Sequence, residues 1–355
     1  MGHARVRLLI EEWPEGDRAA WQQARRSSDP LSDPGMAAHW SDKTVRPVLA
    51  SYGMWLSWLR DLGHLDPLAL PGGRITRERL REFLGWLQHR GIGSVTLCTH
   101  LRNLREAIRV IDRRYRLDDL DMTLARLERR AQPRRSKTPR LVHPRDLLQA
   151  AIAAMQAILR SKGKLTRGRA ARYRDALIVG FLATRPIRLA NLGRLEIDRH
   201  IFHRSEGYCC RLEPHETKDR NRLEFSLAPA LAEFMDRYIE AIRPLLMDRG
   251  MAGNRLWVSS RGSPMCEAAI YQQVNAFTKA MLGKPINPHL FRDCVATAIA
   301  EDAPEEAQII ARILGHSTLA TSEQHYNHAG SISAHRRYME ALITLRRPAI
   351  REDVS

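Results

Sequence analysis

Cysteine, lysine and long apolar runs are all scarce in this chain of 355 residues. Its five cysteines, Cys98, Cys209, Cys210, Cys266 and Cys294, are odd in number, and no two have the Cys-x-x-Cys spacing of a zinc or redox motif. A disulfide framework and a thiolate metal site are therefore not expected, and the cysteines are read as reduced and structural. The longest uninterrupted apolar run, Ala176 to Ala183, has 8 residues, against the roughly 20 that a membrane-spanning helix needs. No apolar stretch of signal-peptide type precedes the acidic residues near the N-terminus, so a cytoplasmic protein without a membrane partner is the expectation. Internal repeats and low-complexity tracts are missing as well.

What is abundant is arginine. Only 7 of the 57 Lys+Arg residues are lysine, and the net charge is +17 with an isoelectric point near 10.3. Such an excess favours a polyanionic partner, because cations that neutralise phosphates release condensed counterions. A planar fork suits phosphate oxygens, although a coding bias toward arginine explains many of these residues equally well. Charge points to nucleic acid and says nothing of chemistry.

Residues 1–39 mix both charges with Pro14, Pro30, Pro34 and Gly35, a pattern of an N-terminal arm rather than a domain. From Trp40 the pattern turns helical. Tyr52, Trp55, Leu56 and Leu59 fall at i, i+3, i+4 and i+7, and Leu80, Phe83, Leu84 and Leu87 repeat the spacing. A further helix starts near Ser94, read as its N-cap, with Leu97, Leu101, Leu104, Ile108 and Ile111 on one stripe. Its polar sides carry Arg102, Arg105 and Arg109 and lead to Arg113 and Arg114; this face is open to two readings, solvated surface or phosphate contact. Trp55 and Trp58 are expected in packing rather than base stacking. The segment 133–144, with Arg134, Arg135, Lys137 and Arg140, three prolines and no acid, reads as a basic linker able to lie along DNA. Beyond it, helical patterns near 145–160, 168–185, 229–246, 267–282, 286–301, 304–314 and 331–346 surround strand-like runs at 193–197, 208–212, 223–227 and 256–259. The chain thus reads as an α-helical N-terminal domain (40–132) followed by a mainly α, α+β domain (145–355) with a small antiparallel sheet.

The motifs that carry chemistry are weak singly and telling in order. Leu182-Ala-Thr-Arg-Pro-Ile-Arg188-Leu-Ala-Asn-Leu192 sets an arginine after a helix end. Glu216-Thr-Lys218-Asp-Arg-Asn-Arg-Leu-Glu-Phe-Ser-Leu227 is a hairpin carrying a lysine. Asn287-Pro-His289-Leu-Phe-Arg292 places a histidine and an arginine at i and i+3, on one helix face. Ile313-Leu-Gly-His316-Ser-Thr-Leu-Ala-Thr-Ser-Glu-Gln-His-Tyr326 ends in a tyrosine. In this order the four segments resemble the boxes of the tyrosine recombinase (phage integrase) family, over about 145–330, and the helical region 40–132 resembles that family's core DNA-binding domain. Two positions depart from the pattern. Asn191 stands where the family commonly carries an acid, and Tyr326 follows His316 by one residue more than is usual.

The resemblance implies a site-specific DNA strand transferase with Arg188, Lys218, His289, Arg292, His316 and Tyr326 as its catalytic set. Arginine forks on the non-bridging oxygens supply the electrostatic clamp that a phosphodiester requires. A tyrosine hydroxyl, with an ordinary pKa of about 10, needs a base or an electropositive site, for which His289 is the candidate. Lys218 would protonate the leaving 5′-oxygen, with His316 on a phosphate oxygen. The intermediate implied is a 3′-phosphotyrosyl bond, exchanged through a Holliday junction, with no metal or other cofactor. The partners implied are double-stranded DNA gripped between the two domains, copies of the same chain assembled as a tetramer through an exchange helix at about 331–346, and accessory DNA-bending or element-encoded proteins of a mobile genetic element. Two other readings remain: a type IB topoisomerase-like enzyme, and a non-catalytic DNA-binding accessory protein.

Overall fold

The computed structural model describes residues 6–27, 33–132, 138–205, 207–218, 220–247 and 253–302. The chain divides into two compact units, Met1–Ser136 and Lys137–Ser355, each with its own apolar core.

The first unit is built from α1 (Glu15–Arg25), α2 (Asp42–Asp61), α3 (Arg77–His89), α4 (Ser94–Ile111) and α5 (Asp118–Arg130). The apolar stripes do what their spacing requires. Tyr52, Trp55, Leu56 and Leu59 of α2 and Leu97, Leu101, Leu104 and Ile108 of α4 are buried against one another, because a helix stripe must find an apolar partner. Trp55 and Trp58 lie in this core beside Phe83. The residue at the N-cap of α4 is Gly93 rather than Ser94. Ser94 instead donates from Oγ to the carbonyl of Gln132 at 2.9 Å, fastening the start of α4 to the end of α5. Three acids in the first turn of α5 complement its dipole.

The segment read as a loose arm is folded where it is described. It carries α1, and Leu8, Trp13, Trp21, Ala24 and Ala37 are buried. Trp13 meets the ring of Tyr52 edge to face at 4.8 Å. The Leu8 N–H donates to the carbonyl of Gly53; a side chain at Gly53 would collide with the Leu8 carbonyl, which accounts for a glycine inside α2. Asp17 of α1 is buried and accepts from Tyr52 Oη at 2.6 Å and from Arg74 at 2.6 Å. Burial, with that carboxylate beside it, pushes the Tyr52 hydroxyl well above its ordinary pKa. Mixed-charge composition hid this segment because its buried residues, Leu8, Trp13, Trp21, Ala24 and Ala37, are scattered among charged ones rather than set at one helical spacing.

The second unit opens with α6 (Pro144–Arg160) and α7 (Arg167–Thr184). From Tyr173 to Ala183 every residue of α7 is buried, the mark of a helix surrounded by others. After the short α8 (Leu189–Leu192), strands β1 (Ile201–Arg204), β2 (Gly207–Leu212) and β3 (Leu223–Ser226) form an antiparallel sheet in sequence order, with Ile201 opposite Cys210 and Cys210 opposite Phe225. The first strand falls later than the expected 193–197, where Glu196 makes only an isolated bridge to Arg255. The helix expected near 229–246 is interrupted: α9 (Ala232–Arg237) and α10 (Arg243–Met247) flank a π turn at Tyr238–Ile242. Tyr238 donates to the carbonyl of Leu256 and Arg243 to that of Arg255, tying both ends of the turn to one strand-like segment. α11 (Glu267–Leu282) and α12 (Pro288–Asp302) complete the described residues. The helices expected at 304–314 and 331–346 lie outside them.

Residues 138–143, read as the second half of a linker, are held by the second unit. Lys284 donates to the carbonyls of Pro139 and Leu141, Arg140 to that of Pro285, and Leu141 and Val142 pack on the core. Among the described residues no helix is long and apolar enough to cross a membrane.

Candidate active site

Two of the four motifs meet through one hydrogen bond. The end of α7 turns sharply into Pro186-Ile-Arg188, and Arg188 becomes the N-cap of α8, with extended backbone. Asn287 caps the facing helix α12, accepting from the Leu290 N–H at 3.0 Å, and Pro288 fits the first helical position, where no N–H is needed. Arg292, one turn into α12 and 7% exposed, donates from NH1 to the carbonyl of Pro186 at 3.0 Å. The second arginine is thereby fixed two residues from the first. His289 stands exposed on the first turn of the same helix, and Arg188 is half-buried. Next to them Arg185 lies with its guanidinium over the ring of Phe225 at 4.8 Å, and burial lowers its pKa from the ordinary arginine value. Arg185 and Arg188 are half-buried and Arg292 is buried, and a guanidinium keeps its charge in such surroundings.

Lys218 is exposed in the turn after a short 3-10 helix, Pro214–Glu216. The N–H of Arg220, itself left-handed at φ 53, donates back to the carbonyl of Thr217. The Thr217 hydroxyl donates to the carbonyl of Asn221 at 2.8 Å. Behind the turn lies a recess of about 250 Å3 whose lining includes Asn191, Arg194, Arg199, His200, Glu216 and Arg255. His200 and Glu216 bond there at 3.0 Å, and Arg199 reaches the same carboxylate oxygen at 2.7 Å. Burial raises the Glu216 carboxyl, but the bonds from His200 and the Glu213 N–H and the charge of Arg199 outweigh it and hold the group below the usual carboxylate range. This cluster was not legible as a site: Glu216 sits in a quoted motif, yet its partners lie in another segment. Asn191, the departure from the family's acid, is buried in α8 and faces this recess.

His316 and Tyr326 lie outside the described residues, as do Arg134, Arg135 and Lys137. The arginine face of α4 is paired. Arg102 binds Glu128, Arg105 binds Asp121 and Glu106, and Arg109 binds Glu106 at 2.7 Å. Arg140 is directed at the Pro285 carbonyl. Of the tyrosines among the described residues, Tyr52, Tyr115, Tyr173, Tyr208 and Tyr238 donate their hydroxyls to protein acceptors. Burial raises the pKa of each of these. Tyr271 on α11 is exposed. No group of three or more His, Cys, Asp or Glu that could hold a metal ion occurs among the described residues.

The model of the phage integrase family matches residues 150–331. The tyrosine recombinase XerD of Chlorobaculum tepidum is 24% identical over 292 residues, 82% of this chain and 87% of its own length. The tyrosine recombinase XerD of Staphylococcus aureus is 26% identical over 167 residues, 47% of this chain and 54% of that protein. Among solved structures, the integrase of transposon Tn1549 in complex with transposon right end DNA aligns with a TM-score of 0.58 and 17% identity over 92% of this chain and 99% of that one. The XerH site-specific recombinase bound to a palindromic difH substrate aligns at 0.56 and 15% over 94% and 98%. These structural likenesses speak for the fold.

Proposed function

Because the chain belongs to the phage integrase family, whose model matches a little over half of its residues, we propose that it is a site-specific DNA recombinase that cuts and rejoins strands through a covalent tyrosine intermediate. The observation that carries the reading is the hydrogen bond from Arg292 to the carbonyl of Pro186, which ties one motif to the segment that carries Arg188 two residues on. A phosphodiester in transfer gathers charge on its equatorial oxygens, and two fixed arginine forks lower the energy of that state without reorganising. Their cost was met when the protein folded.

In the proposed cycle the phenolic oxygen of Tyr326 attacks phosphorus, giving up its proton to His289. The P–O5′ bond breaks, and Lys218 protonates the departing oxygen while His316 donates to a phosphate oxygen. A 3′-phosphotyrosyl bond results, and a free 5′-hydroxyl from a second duplex reverses the step, so bond energy is conserved. The bonded hydroxyls of the five tyrosines above support Tyr326 as nucleophile. We place DNA binding in both units, helical at 40–132 and catalytic at 145–355, and assembly as a tetramer on paired sites of a mobile element.

The test is a nicked duplex bearing the inverted repeats that flank the gene, resolved on a denaturing gel. The wild type should become covalently joined to DNA and Tyr326→Phe should not. An adduct that survives in Tyr326→Phe but vanishes in Tyr271→Phe would move the nucleophile to α11. Relaxation of plasmid without those repeats would favour a topoisomerase.

A further inference from the structure

A lysine that serves as general acid has to be presented within hydrogen-bond reach of the leaving oxygen, yet Lys218 sits exposed on a turn, on a flexible four-carbon stem. The turn itself is closed by Thr217, and its root is fixed by Glu216, two residues before the lysine. Both of its carboxylate oxygens are engaged: one accepts from the Glu213 N–H at 3.0 Å, the other from His200 Nε2–H at 3.0 Å and Arg199 at 2.7 Å. His200 is 3% exposed and has no choice of tautomer, since its Nδ1 accepts from the Glu196 N–H at 3.0 Å and Nε2 must therefore carry the proton. Glu196 and His200 follow α8, whose N-cap is Arg188. A short bonded path thus runs from the arginine clamp through α8 to His200, across to Glu216 and on to the lysine.

We propose that His200 and Glu216 are positioning residues of the reaction, holding the root of the lysine turn in register with the arginines so that Lys218 can protonate the leaving 5′-oxygen. The inference rests on the reading of Lys218 as general acid. In the step concerned, the tyrosine oxygen bonds to phosphorus, the P–O5′ bond breaks, and one ammonium proton of Lys218 passes to O5′. Neither His200 nor Glu216 touches the DNA in this scheme.

The experiment is single-turnover cleavage of two suicide duplexes, one ordinary and one with a 5′-bridging phosphorothiolate, whose thiolate leaves without a proton because thiols are far more acidic than alcohols. On ordinary DNA, Lys218→Ala and Glu216→Ala should both be slower by about 10- to 100-fold. On the phosphorothiolate both should recover most of that loss. His200→Gln, whose amide N–H can still reach Glu216, should keep more activity than His200→Leu. Equal defects of Glu216→Ala on the two substrates would reduce the pair to a structural role, and wild-type rates on ordinary DNA would remove it altogether. Glu216→Gln, isosteric and uncharged, carries the same test if the alanine variant does not fold. A Lys218→Ala defect that is equal on both substrates sinks the lysine's assignment as acid, and this inference with it, whereas rescue of Lys218→Ala alone sinks only the positioning pair.

Discussion

Along α4 of the first unit arginine forks meet carboxylates, whereas the buried Arg243 and Arg292 of the second meet backbone carbonyls. Arg102, Arg105 and Arg109 bind Glu128, Asp121 and Glu106; elsewhere in the first unit Arg25 donates to the carbonyls of Ala37 and Trp40, and Arg74 binds both Asp17 and the carbonyls of Asp66 and Ala69. In the second unit Arg243 donates to Arg255 and Gly253 carbonyls, Arg167 to that of Leu246, Arg174 to that of Val258 as well as to Asp175, and Arg292 to that of Pro186. A carboxylate cancels the charge it holds; a carbonyl orients the cation and leaves its charge intact. Arginine can therefore be neutralised along one helix and oriented with its charge intact in another place.

The sharpest way to break this contrast is at Arg292. Replacing it with alanine should slow cleavage on the order of 10³-fold, the scale of losing one preorganised donor to a developing anion. Lysine should restore little in single-turnover assays, because it cannot make the fork that both binds Pro186 and faces phosphate. Full rescue by lysine would show that charge alone matters there. In the first unit the expected damage is to folding instead. Asp17→Ala removes the carboxylate from a buried guanidinium, and should cost about 3 kcal/mol of stability in denaturant titration followed by tryptophan fluorescence, a sensible probe since Trp13 packs on Tyr52, which bonds Asp17. A stability loss near zero would mean that Arg74 finds water. The smallest effect is expected from Arg102→Gln, Arg105→Gln and Arg109→Gln combined: the slope of log affinity against log salt for duplex DNA should barely change. A fall of about 3 in that slope would show all three on phosphates, and would erase the distinction between the units.

Much of this was visible in the residues, and what was not has physical reasons. The stripes of α2, α3 and α4 are readable from their helical spacing, and the second half of α7 from its unbroken apolar run, Ala176 to Ala183. β1 was missed because Ile201-Phe-His-Arg204 has no alternation, with one residue buried and two exposed. The break in the α9 to α10 helix depends on the carbonyls of Leu256 and Arg255, which belong to a separate segment beyond the helix. Order along the chain singled out Arg188, Lys218, His289 and Arg292 as the candidates for the site. It did not disclose His200, whose meaning arises only when residue 200 meets residue 216, nor that the arginines of α4 already have partners.

The burial of Asp17 beneath Tyr52 and Arg74 also sets a rule for anyone exchanging parts between these proteins. A chimera that moves this chain's first unit onto another catalytic unit has to carry the stretch around residues 6–27 together with α2 and the Arg74 turn, because those pieces share one core. A cut at Trp40 would separate Asp17 from Tyr52 and Arg74, which it binds in that core.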